Sequence, residues 1–170
     1  MIVVAGPTAS GKTGLALALA RRLGGEVISA DSRQVYRELN AGTAKPKTDA
    51  TGLVDGIVYH LIDRISLAQT YDAGQFVADA SRLCAQIAAK GLTPIVAGGT
   101  GLYLRALIQG LSPLPPRSEA VRKRLAQEAE NLGRAHLHEK LAQIDPRAAQ
   151  SIPKNNVHRL IRALEVHELT

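Results

Sequence analysis

The chain has 170 residues, 45% of them hydrophobic and 21% charged, which suits one folded domain with a small appendage and excludes wholesale disorder. No apolar run approaches the roughly 20 residues of a membrane-spanning helix, and the opening residues, MIVVAGPTAS, lack the basic leader of a signal peptide. No membrane partner and a cytoplasmic location are therefore expected. The single cysteine, Cys84, excludes an internal disulfide framework and a cysteine-based zinc site. The formal net charge is +6, with 11 basic against 8 acidic residues over 1–110 and 10 against 7 over 111–170. Positive charge is thus denser in the shorter C-terminal part, and such a balance favours polyanionic partners, nucleic acid above all.

In chain order, Met1 to Ala5 is a short apolar run stopped by Gly6, a buried strand followed by a turn. Thr13 to Leu23 has helical composition and ends at Gly24-Gly25. EVISA, Glu26 to Ala30, is a second strand; DSRQVYREL then forms a loop leading into a short helix. Residues 40–57, rich in Gly, Pro, Thr and Asp, form a long surface loop, and loops of that length are usually functional. Val58 to Ile62 is a short strand, and Asp72 to Lys90 is an amphipathic helix closed by Gly91. Thr93 to Ala97 is a strand, and Gly98-Gly99-Thr100-Gly101 turns the chain into a helix ending near Gly110. Strand, loop and helix recur, which predicts an α/β fold with a parallel sheet and helices on its faces. SPLPP, Ser112 to Pro116, punctuates the chain. Only helical signals follow: Ser118 to Glu130, Arg134 to Ile144 and Asn156 to Leu169. The expected domains are a core over 1–111 and a helical appendage over 112–170. The core is small for a complete doubly wound sheet, and further strands from a longer protein are expected.

Gly6-Pro7-Thr8-Ala9-Ser10-Gly11-Lys12-Thr13 fits G-x-x-x-x-G-K-[ST] between a strand and a helix. Glycines let backbone N–H groups wrap an anionic diphosphate, and the helix N-terminus adds partial positive charge. Lys12 is placed to neutralise terminal phosphate oxygens, and the Thr13 hydroxyl to ligate Mg²⁺. The motif establishes diphosphate or nucleotide binding, such as ATP, without establishing hydrolysis. Phosphate-loop ATPases pair this loop with an acidic residue at the end of another strand. Here Thr93 to Ala97 ends in Gly-Gly-Thr, and the carboxylate is Asp31, after the second strand. The C-terminal ends of parallel strands form the ligand crevice, so Asp31 is expected beside the phosphate loop, as a base or an outer-shell Mg²⁺ partner; a helix cap is its plainer role. The 98–101 turn is expected on the same edge, binding leaving phosphates through backbone N–H groups and Thr100, or serving only as a turn. Lys45 and Lys47 either reach phosphate or are solvated. On these features alone the favoured reading is a phosphate-loop small-molecule or nucleotide kinase; a non-catalytic nucleic-acid-binding remnant is a further one.

GPTASGKT, ADSRQVY, AGTAKP, YHLID, TYDAGQF, VAGGTGLYL and RLIRALEV occur together and in order over almost the whole chain. In this the sequence resembles the tRNA dimethylallyltransferases, also called tRNA isopentenyl-diphosphate transferases. The resemblance implies a phosphate-loop NTPase-like core with a helical insertion. It also implies transfer of a dimethylallyl group from dimethylallyl diphosphate to N6 of the adenosine 3′-adjacent to the tRNA anticodon, with Mg²⁺ assisting. It further implies that Asp31 takes the amine proton, that Thr100 contacts the adenosine region, and that Gly6 to Thr13 bind the diphosphate. Asp31, Ser32, Arg33 and Gln34 would touch tRNA, as would Arg122, His158, Arg159 and Arg162. A monomer binding the anticodon stem-loop is expected. The sequence departs from the family pattern at Asn156, where an Asp is usual, and at His158, where a Gln is usual, and it is considerably shorter than family members.

Overall fold

The computed structural model describes residues 1–170, which divide into two units, Met1–Leu111 and Ser112–Thr170. The first unit contains strands β1 (Ile2–Ala5), β2 (Gly25–Ser29), β3 (Leu53–Val54), β4 (Ile57–His60) and β5 (Thr93–Gly98), with helices α1 (Lys12–Leu23), α2 (Ala73–Ala89) and α3 (Gly101–Gln109). The five strands form one sheet in the order β1-β5-β2-β4-β3. All neighbours run parallel except the β3–β4 edge pair. Two buried clusters lie on its two faces. One packs Ala16, Leu17 and Ala20 of α1 against Val4, Val27, Ile95 and Tyr59. The other gathers Phe76, Ala80, Ile87, Tyr103 and Leu104 of α2 and α3 against Ile28 and Val96. Strands buried on both faces must read as continuous apolar runs, and β5 does so: its residues from Pro94 to Gly98 are all buried.

Local chemistry sets the element ends. Asp72 and Gln75 form a reciprocal capping box at the start of α2. Gly98 closes β5 because a Cβ there would stand 2.1 Å from the Ala30 carbonyl oxygen; only glycine permits that approach of two strand ends.

Two expectations for this unit are corrected. The segment after β2 forms no short helix. It runs as consecutive turns with an isolated parallel bridge from Tyr36 to Ile65. The Asp31 Oδ1 accepts from the N–H groups of Arg33 (2.8 Å) and Gln34 (3.2 Å), which satisfies the start of a turn. The turn does not continue as a helix because the Gln34 carbonyl accepts from the Asp63 N–H at 3.0 Å and the Val35 carbonyl from the Arg64 N–H at 2.8 Å, so these acceptors are taken by another segment. The stretch 40–57 is not loop throughout, because β3 and β4 are joined as a hairpin through Asp55 and Gly56. Both have positive φ, 48° and 77°, the two-residue geometry that matches strand twist.

The second unit packs α4 (Glu119–Leu132), α5 (Arg134–Ile144), α6 (Pro146–Ser151) and α7 (Val157–Leu169) around Leu125, Leu137, Leu141, Leu160 and Leu164. Helix α6 was not anticipated, although its start signal, an Asp145 cap followed by Pro146 in the first turn, is present. Asn156 caps α7, accepting from the Arg159 N–H at 3.3 Å, so the departure from Asp keeps the helix start. No helix is long and apolar enough to cross a membrane.

Candidate functional site

The turn between β1 and α1 surrounds a cavity of about 120 Å³ lined by Thr8 to Thr13 together with Asp31, Gln34, Thr43, Ala44, Tyr59, Ala97 and Gly98. Gly11 caps α1 in the left-handed region, at φ 81°, so the first N–H groups of the helix open toward the loop. The Lys12 ammonium donates to the Pro7 carbonyl and lies 3.5 Å from Ser10 Oγ. A Cβ at Gly99 would stand 3.2 Å from the Gly6 carbonyl oxygen and 3.9 Å from Lys12 Nζ, so the 98–101 turn comes up against the phosphate loop. Gly6 and Pro7 shape the loop from behind and do not line the cavity.

Asp31 lies on this cavity as a consequence of β2 pairing with β5. Its two hydrogen bonds both use Oδ1; Oδ2 takes part in neither. Asp31 therefore caps a turn rather than a helix. The turn is stitched to the head of α3: the Ser32 N–H donates to Thr100 Oγ1 at 2.9 Å, and the Thr100 N–H to the Ala30 carbonyl at 3.2 Å. Thr100 itself does not line the cavity; in this geometry it orients the Asp31 turn. Ser32 is half-buried and Arg33 is exposed.

Gln34 is buried and wholly engaged. Its Oε1 accepts from Ser29 Oγ at 3.0 Å, and its Nε2 donates to the carbonyls of Thr43 (3.1 Å) and Ala44 (3.2 Å). It ties the 40–52 stretch to the end of β2 and so brings Thr43 and Ala44 to the cavity wall. Lys45 does not reach the phosphate loop. Its ammonium donates to the Tyr36 carbonyl (2.7 Å), Asn40 Oδ1 (3.0 Å) and Asp63 Oδ1 (2.6 Å), and its side chain is 5% exposed. A buried ammonium needs such a set of acceptors.

Tyr59 was missed by the sequence reading. Its ring packs in the cluster under α1, while the residue also lines the cavity together with Thr13. Burial pushes the phenol up to about 12, so it stays neutral near pH 7. No periodicity could have revealed it, since its place follows from the register Val27–Tyr59 between β2 and β4.

In the helical unit the candidate arginines have internal partners. Glu165 is fully buried, and its carboxylate accepts from Arg122 Nε at 3.0 Å, Arg162 Nη1 at 2.7 Å and the Ser118 N–H at 2.7 Å. Burial pushes its carboxyl up, but the two guanidiniums and the amide outweigh this and hold it at about 2. Arg162 also donates to the Pro115 carbonyl. Arg124 pairs with Glu128 and Glu168, and Lys140 with Glu128. His158 and Arg159 are exposed at the start of α7, and His158 shares a groove with Arg134 and Asn156.

A glycine-lysine-threonine loop at the head of a parallel sheet ordered β1-β5-β2-β4 defines a phosphate-loop α/β protein. Within that class the chain belongs to the IPP transferase family, whose model matches residues 34–170. It is 52% identical to a tRNA dimethylallyltransferase of Anaeromyxobacter dehalogenans over 98% of its own length and 53% of the relative's. It is 54% identical to one of Stenotrophomonas maltophilia, over 99% and 52%. The chain thus spans about half the length of the curated relatives it matches. Among solved structures it is similar to the tRNA isopentenylpyrophosphate transferase of Bacillus halodurans, with TM-score 0.61, 42% identity, and coverage of 99% of this chain and 55% of that one. It is also similar to a eukaryotic dimethylallyltransferase acting on tRNA, with TM-score 0.75, 28% identity, and coverage of 98% and 41%.

Proposed function

We propose that the cavity serves transfer of a dimethylallyl group from dimethylallyl diphosphate to N6 of the adenosine 3′-adjacent to the anticodon of a tRNA, in the cytoplasm. The carrying observation is that one cavity joins the phosphate loop to the Asp31 carboxylate. A diphosphate cradle facing a carboxylate suits a reaction in which diphosphate departs from carbon while a nucleophile loses a proton. The allylic C–O bond breaks, and its electron pair leaves with the diphosphate. The N6–C bond forms, and the N6 proton passes to Asp31. Gly11, Lys12 and the first N–H groups of α1 hold the growing negative charge of the leaving group.

Mg²⁺ fits the donor set. Thr13 offers a neutral oxygen, Asp31 stands on the same cavity, and no cluster of three or more His, Cys, Asp or Glu side chains is built to cage a metal. Such a site suits a hard cation held mainly by water and phosphate oxygens. When bound, the ion would neutralise charge on the departing diphosphate. Thr100, through Ser32, keeps Asp31 toward the acceptor. The basic helical unit, with Arg159 and His158 exposed, supplies sequence-independent attraction for the tRNA backbone.

The test is incubation with dimethylallyl diphosphate, unmodified tRNA and Mg²⁺. Prenylated adenosine is expected, and Asp31→Asn should lower its rate roughly 10²- to 10⁴-fold while leaving diphosphate affinity nearly unchanged. Phosphorylation of a small acceptor by ATP, with no reaction of the allylic diphosphate, would overturn the proposal.

A further inference from the structure

A pair of guanidiniums lies outside the cavity, on the segment that leads away from it. Arg37 follows Asp31 by six residues, so the two positions are at most about 20 Å apart. The isolated bridge between Tyr36 and Ile65 sets Arg37 beside Arg64. The Arg37 N–H donates to the Ile65 carbonyl at 3.0 Å, the Arg64 N–H to the Val35 carbonyl at 2.8 Å, and Arg37 Nη2 to the Arg64 carbonyl at 3.2 Å. Both residues are exposed and line an open groove of about 470 Å³ with Gln69, Tyr71, Gln75 and Asp79. The carboxylates of this region are committed elsewhere. Asp79 pairs with Arg82 at 2.6 Å and accepts from the Tyr71 hydroxyl at 3.0 Å, Glu38 accepts from the Leu67 N–H at 3.1 Å, and Asp63 holds the Lys45 ammonium at 2.6 Å. The ion pairs of this unit leave Arg37 and Arg64 out. We infer that Arg37 and Arg64 bind backbone phosphates of the tRNA strand beside the acceptor adenosine. A guanidinium anchored by a backbone carbonyl keeps further N–H groups for a phosphate. The groove is open, whereas a site for a small free ligand encloses most of that ligand. A strand whose adenosine meets Asp31 extends several nucleotides either way, which covers the span to Arg37. Such contacts carry no base information; they fix how the strand is drawn across the protein.

The inference rests on the tRNA reading of the cavity. Anisotropy titration of a labelled anticodon stem-loop with the chain, over a range of KCl concentrations, tests it. Arg37→Gln and Arg64→Gln should each weaken binding several-fold and lower the salt slope by about 1, and the double variant by about 2. Replacing both arginines by lysine keeps the charges and should keep the slope. Arg21→Gln removes the same charge from the last turn of α1 and should leave the slope unchanged. Pyrophosphate affinity, measured by calorimetry with Mg²⁺, should be the same in all of them. An unaltered slope in the double glutamine variant would overturn the inference. So would an equal loss in Arg21→Gln, which would mean that net charge alone acts, or in the lysine pair, which would mean that the arginines only shape the loop. Lost pyrophosphate binding in the glutamine variants would assign the groove to a small free anion and overturn it too. In each of these cases salt-dependent stem-loop binding by the unaltered chain leaves the tRNA reading standing, and its absence would overturn both.

Discussion

The phosphate cavity of the first unit and the helices of the second use charge in opposite ways. In Met1–Leu111 the ionisable groups of the cavity are held by backbone: Lys12 donates to a carbonyl and a hydroxyl, and Asp31 accepts from two amides. In Ser112–Thr170 they are held by one another, with Glu165 gathering Arg122 and Arg162, and Glu128 gathering Arg124 and Lys140. A group anchored by backbone keeps its charge available to a ligand. A group anchored by an opposite charge is largely spent on stability. The number of arginines on a helix is therefore a poor measure of its attraction for a polyanion.

The comparison is most sharply strained at Gly98. Gly98→Ala drives a Cβ to 2.1 Å from the Ala30 carbonyl oxygen, and relief requires β2 and β5 to part. A loss of about 3 kcal/mol is expected, read as a lower denaturant midpoint of the sheet unit with pyrophosphate binding lost alongside.

The second effect falls on Glu165. Its carboxyl moves from an ordinary 4.5 to about 2 on folding. A depressed acid stabilises the fold fully at pH values above its unfolded range, and the benefit disappears as pH falls from about 4.5 through about 2. The benefit at neutral pH is on the order of 3 kcal/mol. Glu165→Gln should thus destabilise the helical unit at pH 7, and the gap to the unaltered chain should close on titration to pH 2, followed by the helical circular dichroism signal in urea.

The smallest effect separates spent charge from available charge. Arg159→Ala should leave stability within about 0.5 kcal/mol yet weaken binding of a tRNA anticodon stem-loop several-fold and reduce its salt slope by about 1. Arg122→Ala should do the reverse, destabilising the helices through the stranded Glu165 with a smaller change in salt slope. Identical behaviour of the two variants would erase the distinction.

What could be read from the residues follows the same division. The phosphate loop, the α/β alternation and the cavity position of Asp31 were legible because glycine geometry and strand-end topology are local rules. The β3–β4 hairpin was missed although Asp55-Gly56 carries its signal, because two-residue strands show no periodicity. The buried staple at Lys45 and the place of Tyr59 on the cavity depend on which segments meet, and no spacing encodes that. Glu165 lies in a helix whose pattern marks it only as polar, and its burial follows from the two guanidiniums it meets.

The position of β5 has a consequence for synthesis. β1 pairs with β5 alone, and β5 also separates β1 from β2. On the ribosome, the first four-residue strand stays partnerless until residues 93–98 have emerged. Until then its apolar edge and the inner face of α1 are open to other chains. Folding of this core is therefore bound to wait for the last of its strands in sequence, a delay in which a holding chaperone has most to offer.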